Sequence, residues 1–257
     1  MPEERRPASA DSRSSRLRTA LAPHWKGHVL WFDPAPIEPY AAASGWRLLL
    51  IVGLVEGVLG PRLGLLQWLG LEVPPAWARV PLLFAVVLAL VRWFVGVEPS
   101  RLGLRRWATW GTTERSYFVQ VFVLANVIFA TIFAEPVAAL LGNRALWGPG
   151  VVVLITSLLW GFYQELIYRG ILQTELGRRW GALGGILAAN TLYTFGPLHL
   201  YHFAGGTLLG SFVMFAGIFA IGLFFGLLFH RSANLWIVGT FHGLGDWYIV
   251  GVSGLVG

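Results

Sequence analysis

The stretch WGFYQELIYRGIL, residues 160–172, decides the fold. Most of it suits the interior of a lipid bilayer, yet Gln164, Glu165 and Arg169 interrupt it with an amide, a carboxylate and a guanidinium. Over all 257 residues, 56% are hydrophobic and 12% charged, against about 25% charged in an ordinary soluble domain. The mean hydropathy of +0.63 agrees, and the chain reads as an integral membrane protein. Cysteine is absent, which removes disulfide frameworks, thiol catalysis and cysteine-ligated zinc together.

A membrane span needs about 20 mostly apolar residues. Seven spans are predicted, over roughly 46–69, 80–97, 117–141, 151–173, 181–200, 207–229 and 233–252. The expected class is all-α: a polytopic membrane protein of about seven transmembrane helices around a polar intramembrane cavity. Residues 1–45 are expected to form a disordered tail (1–20) and an interfacial segment carrying Trp25, Trp31 and Phe32, with the membrane domain over 46–257. No internal repeat is evident.

The net charge of +6 does not point to nucleic acid, because the arginines gather in the tail and between apolar runs instead of forming a solvated stripe with interleaved aromatics. They set orientation instead. With the N-terminus inside, thirteen basic residues fall on the cytoplasmic side, against Arg79 and Arg144 opposite. Residues 1–45 hold six of them, and Arg101, Arg105, Arg106 and Arg115 mark a segment with the composition of a cytoplasmic interfacial helix. Lys26 is the one lysine among 19 basic residues, a bias that fits a GC-rich bacterial genome and hence an inner-membrane location.

An ionisable side chain at the bilayer centre costs about 2.5–3.5 kcal/mol or more, so each needs a partner or a role. Within the spans stand Glu56, Glu135, Glu165, Arg169, His199, His242 and Asp246. Glu165 and Arg169 are four apart, as are His242 and Asp246, so each pair shares a helix face. At His199, Pro197 removes a backbone donor and Gly196 loosens the helix, which opens the backbone toward a cavity. At 1.5 Å per residue Glu165, His199 and His242 fall within about 12 Å in height, a gap that helix tilt of about 20° largely closes. Three helices then present a Glu and two His at one level. Each residue also has a plain reading: Glu165–Arg169 as a structural intrahelical pair, a lone His as a helix-to-helix hydrogen bond, His202 and His230 as interfacial, and Glu135 before Pro136 as a group at a helix break. Glu56 has no evident local partner.

Together, QELIYR (164–169), FGPLH (195–199) and HGLGD (242–246) resemble the three motifs of the CPBP family of CAAX-processing and Abi intramembrane proteases, EExxxR, FxxxH and HxxxN or HxxxD, in family order. The similarity covers roughly residues 80–252. It implies a helical membrane fold with a conical cavity and hydrolysis of a peptide bond near the C-terminal membrane segment of a membrane-protein or lipidated-protein substrate. It implies further that His199 activates water, that His242 and Asp246 stabilise the oxyanion, and that Glu165, Arg169 and Phe195 stand at the family's remaining motif positions. Bacterial members of the group include sorting enzymes that process C-terminal anchors, the myxosortases; a bacterial source favours such a substrate over a prenylated CAAX protein.

The sequence departs from the pattern at Gln164, where the family's first glutamate is expected. An amide orients water but does not act as a general base. Either Glu165 takes over as the catalytic carboxylate, or the chain is a silent relative that binds a membrane partner without cutting it. An anionic Asp246 is also a poor oxyanion stabiliser unless it acts through His242. No cofactor is expected; the alternative chemistry is a zinc site built from His199, His242 and a carboxylate of Glu165 or Asp246, without the HExxH signature. A proton-coupled transporter is a third class, disfavoured by the missing inverted repeat. Oligomeric state does not follow from the sequence.

Overall fold

The structure, a computed structural model, describes residues 42–59, 69–70, 72, 74–199 and 207–256. Among these every regular element is helical. The expected tail, Trp25, Trp31, Arg62 and His202 lie outside the described residues.

Helix α1 (Ala42–Leu54) continues into a wider π-helical turn, Val55–Leu59. Helix α2 (Ala76–Ala89) does the same over Leu90–Val95, then stops at Gly96, whose φ of 77° a side-chain-bearing residue rarely adopts. Helix α3 spans Thr112–Ile132 and α4 Ala134–Gly142. Helix α5 (Trp147–Glu165) runs through a π-helical stretch, Leu166–Gln173, into α6 (Thr174–Phe195), which breaks at Gly181 (φ 79°, ψ 164°). Helix α7 spans Leu208–Ser232 and α8 Leu235–Asp246, the latter extended by π turns Trp247–Val252 and a final turn α9, Ser253–Val256.

Among the described residues four stretches are long and apolar enough to cross a membrane: Ala76–Val95, Glu114–Ile132, Arg144–Phe195 and Leu208–Ser232. The third holds two expected spans, parted at Gly181 as the sequence predicts. The end helices, over 42–59 and 235–256, are not among the four; they carry buried polar groups and pack inward. The expected third span, 117–141, is two helices. Phe133 (φ −105°, ψ 36°) interrupts it, and Pro136 falls in the first turn of α4, where its missing N–H costs nothing. Glu135 is exposed in that same turn, at the break.

The interfacial helix expected from Arg101 is replaced by two 3-10 turns, Pro99–Leu102 and Trp107–Thr109. Gly103, at φ 99°, turns the backbone so that its carbonyl accepts from Leu235 N at 2.9 Å; a Cβ there would meet Phe229 and Leu235 side chains at 2.8 and 2.9 Å. Packing beneath the α7–α8 turn therefore overrides the local helical pattern. Arg105 pairs with Glu114 (2.6 Å), whose other oxygen accepts from Gly111 N at the start of α3.

Helix α8 lies along α5, α2 packs on α5's other side, α3 covers α8, and α6 sits against the π-helical stretch and α7. The core joins Leu48, Ile51, Val87, Ile167, Ile171 and Leu235. Exposed apolar residues such as Phe122 and Val123 of α3 and Leu208 and Phe212 of α7 face outward, as lipid contact requires.

Candidate active site

The interruption in WGFYQELIYRGIL is resolved by position: every residue from Gly161 to Gln173 is buried. No side of this segment meets lipid, so its polar side chains are directed at other helices. Glycines set how closely those helices approach. A Cβ on Gly161 would lie 2.7 Å from Gly243 Cα and 2.9 Å from Gly239 O, so α5 and α8 touch backbone to backbone. Gly239 and Gly243 form a GxxxG face on α8 and bracket His242, a small-residue signal for helix contact that the sequence carries in GTFHG.

This contact brings the two motif helices into register. Glu165, fully buried, accepts a 2.6 Å hydrogen bond on Oε1 from His242 Nδ1, and its Oε2 lies 3.3 Å from Arg169 Nε. The Nδ1–H donated to Glu165 leaves the lone pair of a neutral His242 on Nε2, a tautomer assigned from the hydrogen bonds. Nε2 faces Tyr193 OH at 3.5 Å and Asp246 Oδ2 at 3.7 Å. Gln164 Nε2 donates to the same Asp246 oxygen at 3.5 Å. Adjacent residues of α5 thus address two residues of α8 one turn apart: Glu165 the imidazole, Gln164 the aspartate.

Arg169 does more than neutralise Glu165. Its Nη2 donates to Gly222 O at 2.8 Å, and its guanidinium lies over the Tyr193 ring at 4.3 Å. Gln173 donates to Gly226 O (2.8 Å) and Asn190 to Phe219 O (3.0 Å), so three side chains clamp one face of α7. Phe225 of α7 stacks on the His242 ring at 4.9 Å.

His199 follows the end of α6. In a continuing helix the Tyr193 carbonyl would accept from residue 197, but Pro197 has no N–H. His199 supplies the missing donor: its Nδ1–H reaches Tyr193 O at 2.7 Å, and its backbone N donates to Gly196 O at 3.1 Å. The proline of FGPLH thereby fixes the His199 tautomer with the lone pair on Nε2. The Tyr193 ring contacts both imidazoles, at centroid distances of 4.4 Å to His199 and 6.1 Å to His242. Phe195, half exposed, stacks on Phe215 of α7 at 5.3 Å. His230 is exposed at the end of α7.

Two contributors escaped sequence reasoning. Tyr193 joins the histidines and Arg169, but a lone tyrosine in an apolar run carries no signal of that. Glu56 finds partners more than 100 residues away: Tyr163 OH donates to one oxygen at 2.9 Å and Tyr168 OH to the other at 3.0 Å. Tyr168 in turn sets its ring edge-on to Tyr193 at 5.2 Å. Among the described residues no group of three or more His, Asp or Glu is arranged to hold a metal ion.

Fold and site define a class: a multi-pass helical membrane protein with a buried Glu–His–Arg cluster, completed by a second His, a Tyr and an Asp. Residues 146–248, from the start of α5 to just beyond Asp246, match the family model described as type II CAAX prenyl endopeptidase Rce1-like. The match spans 103 of the 257 residues and takes in all three motifs, so this part of the chain is similar to that protease family. Neither the curated proteins nor the solved structures contain a significant match.

Proposed function

We propose that the protein is an intramembrane endopeptidase that hydrolyses a peptide bond near the C-terminal membrane segment of a protein substrate, with glutamate and histidine activating water. The observation that carries this reading is the 2.6 Å Glu165–His242 contact, fully buried and backed by Arg169. A carboxylate that holds Nδ1–H orients the imidazole and turns its Nε2 lone pair outward, where it can hold the attacking water. Glu165 in this arrangement works through His242. His199, held by the Tyr193 carbonyl, presents its Nε2 as the second imidazole. The N-terminus is cytoplasmic, by the arginine distribution, and the arginine-rich composition favours a bacterial inner membrane with an anchor-bearing substrate.

The test uses purified full-length protein in liposomes with two probes. One is a quenched fluorescent peptide ending in a farnesylated CAAX sequence. The other is a reporter ending in an apolar span and a basic tail. Wild type is expected to cleave at least one, Glu165→Ala and His199→Ala neither, and chelation with zinc add-back is expected to leave the rate unchanged. Gln164 supports a second reading, a silent scaffold; an inactive wild type restored by Gln164→Glu would establish it.

A further inference from the structure

The Glu165–His242 pair leaves a question: which carboxylate meets the water. Glu165 has 0% side-chain exposure, one oxygen on His242 and the other facing Arg169. Asp246 is 27% exposed and, among the described residues, is the one carboxylate placed on the outward nitrogen of His242. That nitrogen and Asp246 Oδ2 are 3.7 Å apart, too far for a direct hydrogen bond. With His242 neutral, both atoms are acceptors, and a molecule with two donor hydrogens satisfies both at once. Water is such a molecule. Gln164, which stands where the family pattern has its first glutamate, donates to the same Asp246 oxygen at 3.5 Å and fixes its direction.

We infer that Asp246 is the catalytic carboxylate that binds the attacking water beside His242 and carries its proton, and that Gln164 is the positioning residue for Asp246. The inference rests on the protease reading and deepens it. In the reaction, the water oxygen bonds to the scissile carbonyl carbon while Asp246 takes one water proton. The carbonyl π electrons move to oxygen. As the tetrahedral species collapses, the C–N bond breaks and Asp246 returns that proton to the leaving nitrogen. The second water proton stays on the new carboxyl group until it is released, and the products are a carboxylate and an amine. Carboxylate and amide thus occupy facing positions on α8 and α5, and the geometry of the pair is the same whichever helix carries the charge.

That symmetry supplies the test. Asp246→Asn, Gln164→Glu and the double exchange Gln164→Glu/Asp246→Asn are assayed on whichever of the two probes wild type cleaves, with thermal unfolding measured for each protein. Asp246→Asn keeps the side-chain shape and is expected to lose about 10²- to 10⁴-fold in rate, the range for a positioned acid–base group. Gln164→Glu alone sets two carboxylates against each other and is expected to be slower than wild type. The double exchange restores one carboxylate and one amide and is expected to regain at least about tenfold over Asp246→Asn, a rescue that a merely structural role does not produce. If Asp246→Asn retains the wild-type rate within about threefold, or a folded double exchange gains nothing, the inference is overturned while the protease reading stands. If wild type cleaves neither probe, both fall.

Discussion

Gly161→Ala tests whether backbone contact between α5 and α8 sets the chemistry. The added Cβ would lie 2.7 Å from Gly243 Cα, where ordinary contact begins at 3.4 Å, and both neighbours are backbone, so neither can rotate away. The helices must part by about 0.7 Å at this level, one turn from Glu165. Opening the 2.6 Å Glu165–His242 contact by that amount takes it to about 3.3 Å, beyond the usual range for a charge-assisted hydrogen bond. Hydrogen bonds to charged groups contribute about 1.5–3 kcal/mol, so the cleavage rate should fall about ten- to a hundredfold. Overpacking should also lower stability by about 1–3 kcal/mol, visible as a lower melting temperature in detergent. Gly217→Ala, on α7 with nothing within 4 Å of the added Cβ, is the matched control and should behave as wild type. A Gly161→Ala protein that melts and cleaves like that control would refute the reasoning.

Three further outcomes follow from the same geometry. Arg169→Ala leaves Glu165 buried without its cation and should cost about 3–5 kcal/mol, read as loss of folded protein on size-exclusion chromatography; Arg169→Lys should fold better but remain slow, because an ammonium does not reproduce the fork to Gly222 O and the stacking on Tyr193. Tyr163→Phe and Tyr168→Phe each remove one donor to Glu56 and should lower stability by about 0.5–2 kcal/mol, with the pair of changes showing non-additivity in a double-mutant thermal analysis. Pro197→Ala restores a backbone N–H able to take the Tyr193 carbonyl from His199; cleavage should drop about tenfold or more while melting changes little, and an unchanged rate would remove Pro197 from the account.

What the sequence made legible was local. Pairs four apart, Glu165 with Arg169 and His242 with Asp246, follow from helical periodicity, and the break at Gly181 falls where the predicted fifth span begins, after the gap that follows residue 173. Rise per residue also predicts Glu165, His199 and His242 at one level, and in the structure Glu165 meets His242 while Tyr193 contacts both imidazoles. The pairings between helices were not: Glu165 with His242 and Glu56 with two tyrosines depend on which faces meet. Spacing could suggest that Glu165 and Gln164 point differently, but only the packed α5–α8 pair assigns the imidazole to one and Asp246 to the other. The Arg101–Arg115 segment misled in the opposite sense, because Gly103 serves the docking of Leu235 and not the continuity of a helix.

Glu56 has a practical corollary. The matched family segment begins at residue 146, yet the two phenols it contributes, Tyr163 and Tyr168, rest on a carboxylate supplied from α1. Tyr168 in turn braces Tyr193, which touches both imidazoles. Excising 146–248 as a minimal catalytic unit would strip two buried hydroxyls of their acceptor and loosen the ring that spaces the histidines. A trimmed form for screening or engineering must therefore keep α1, which acts as a buttress for Tyr163 and Tyr168.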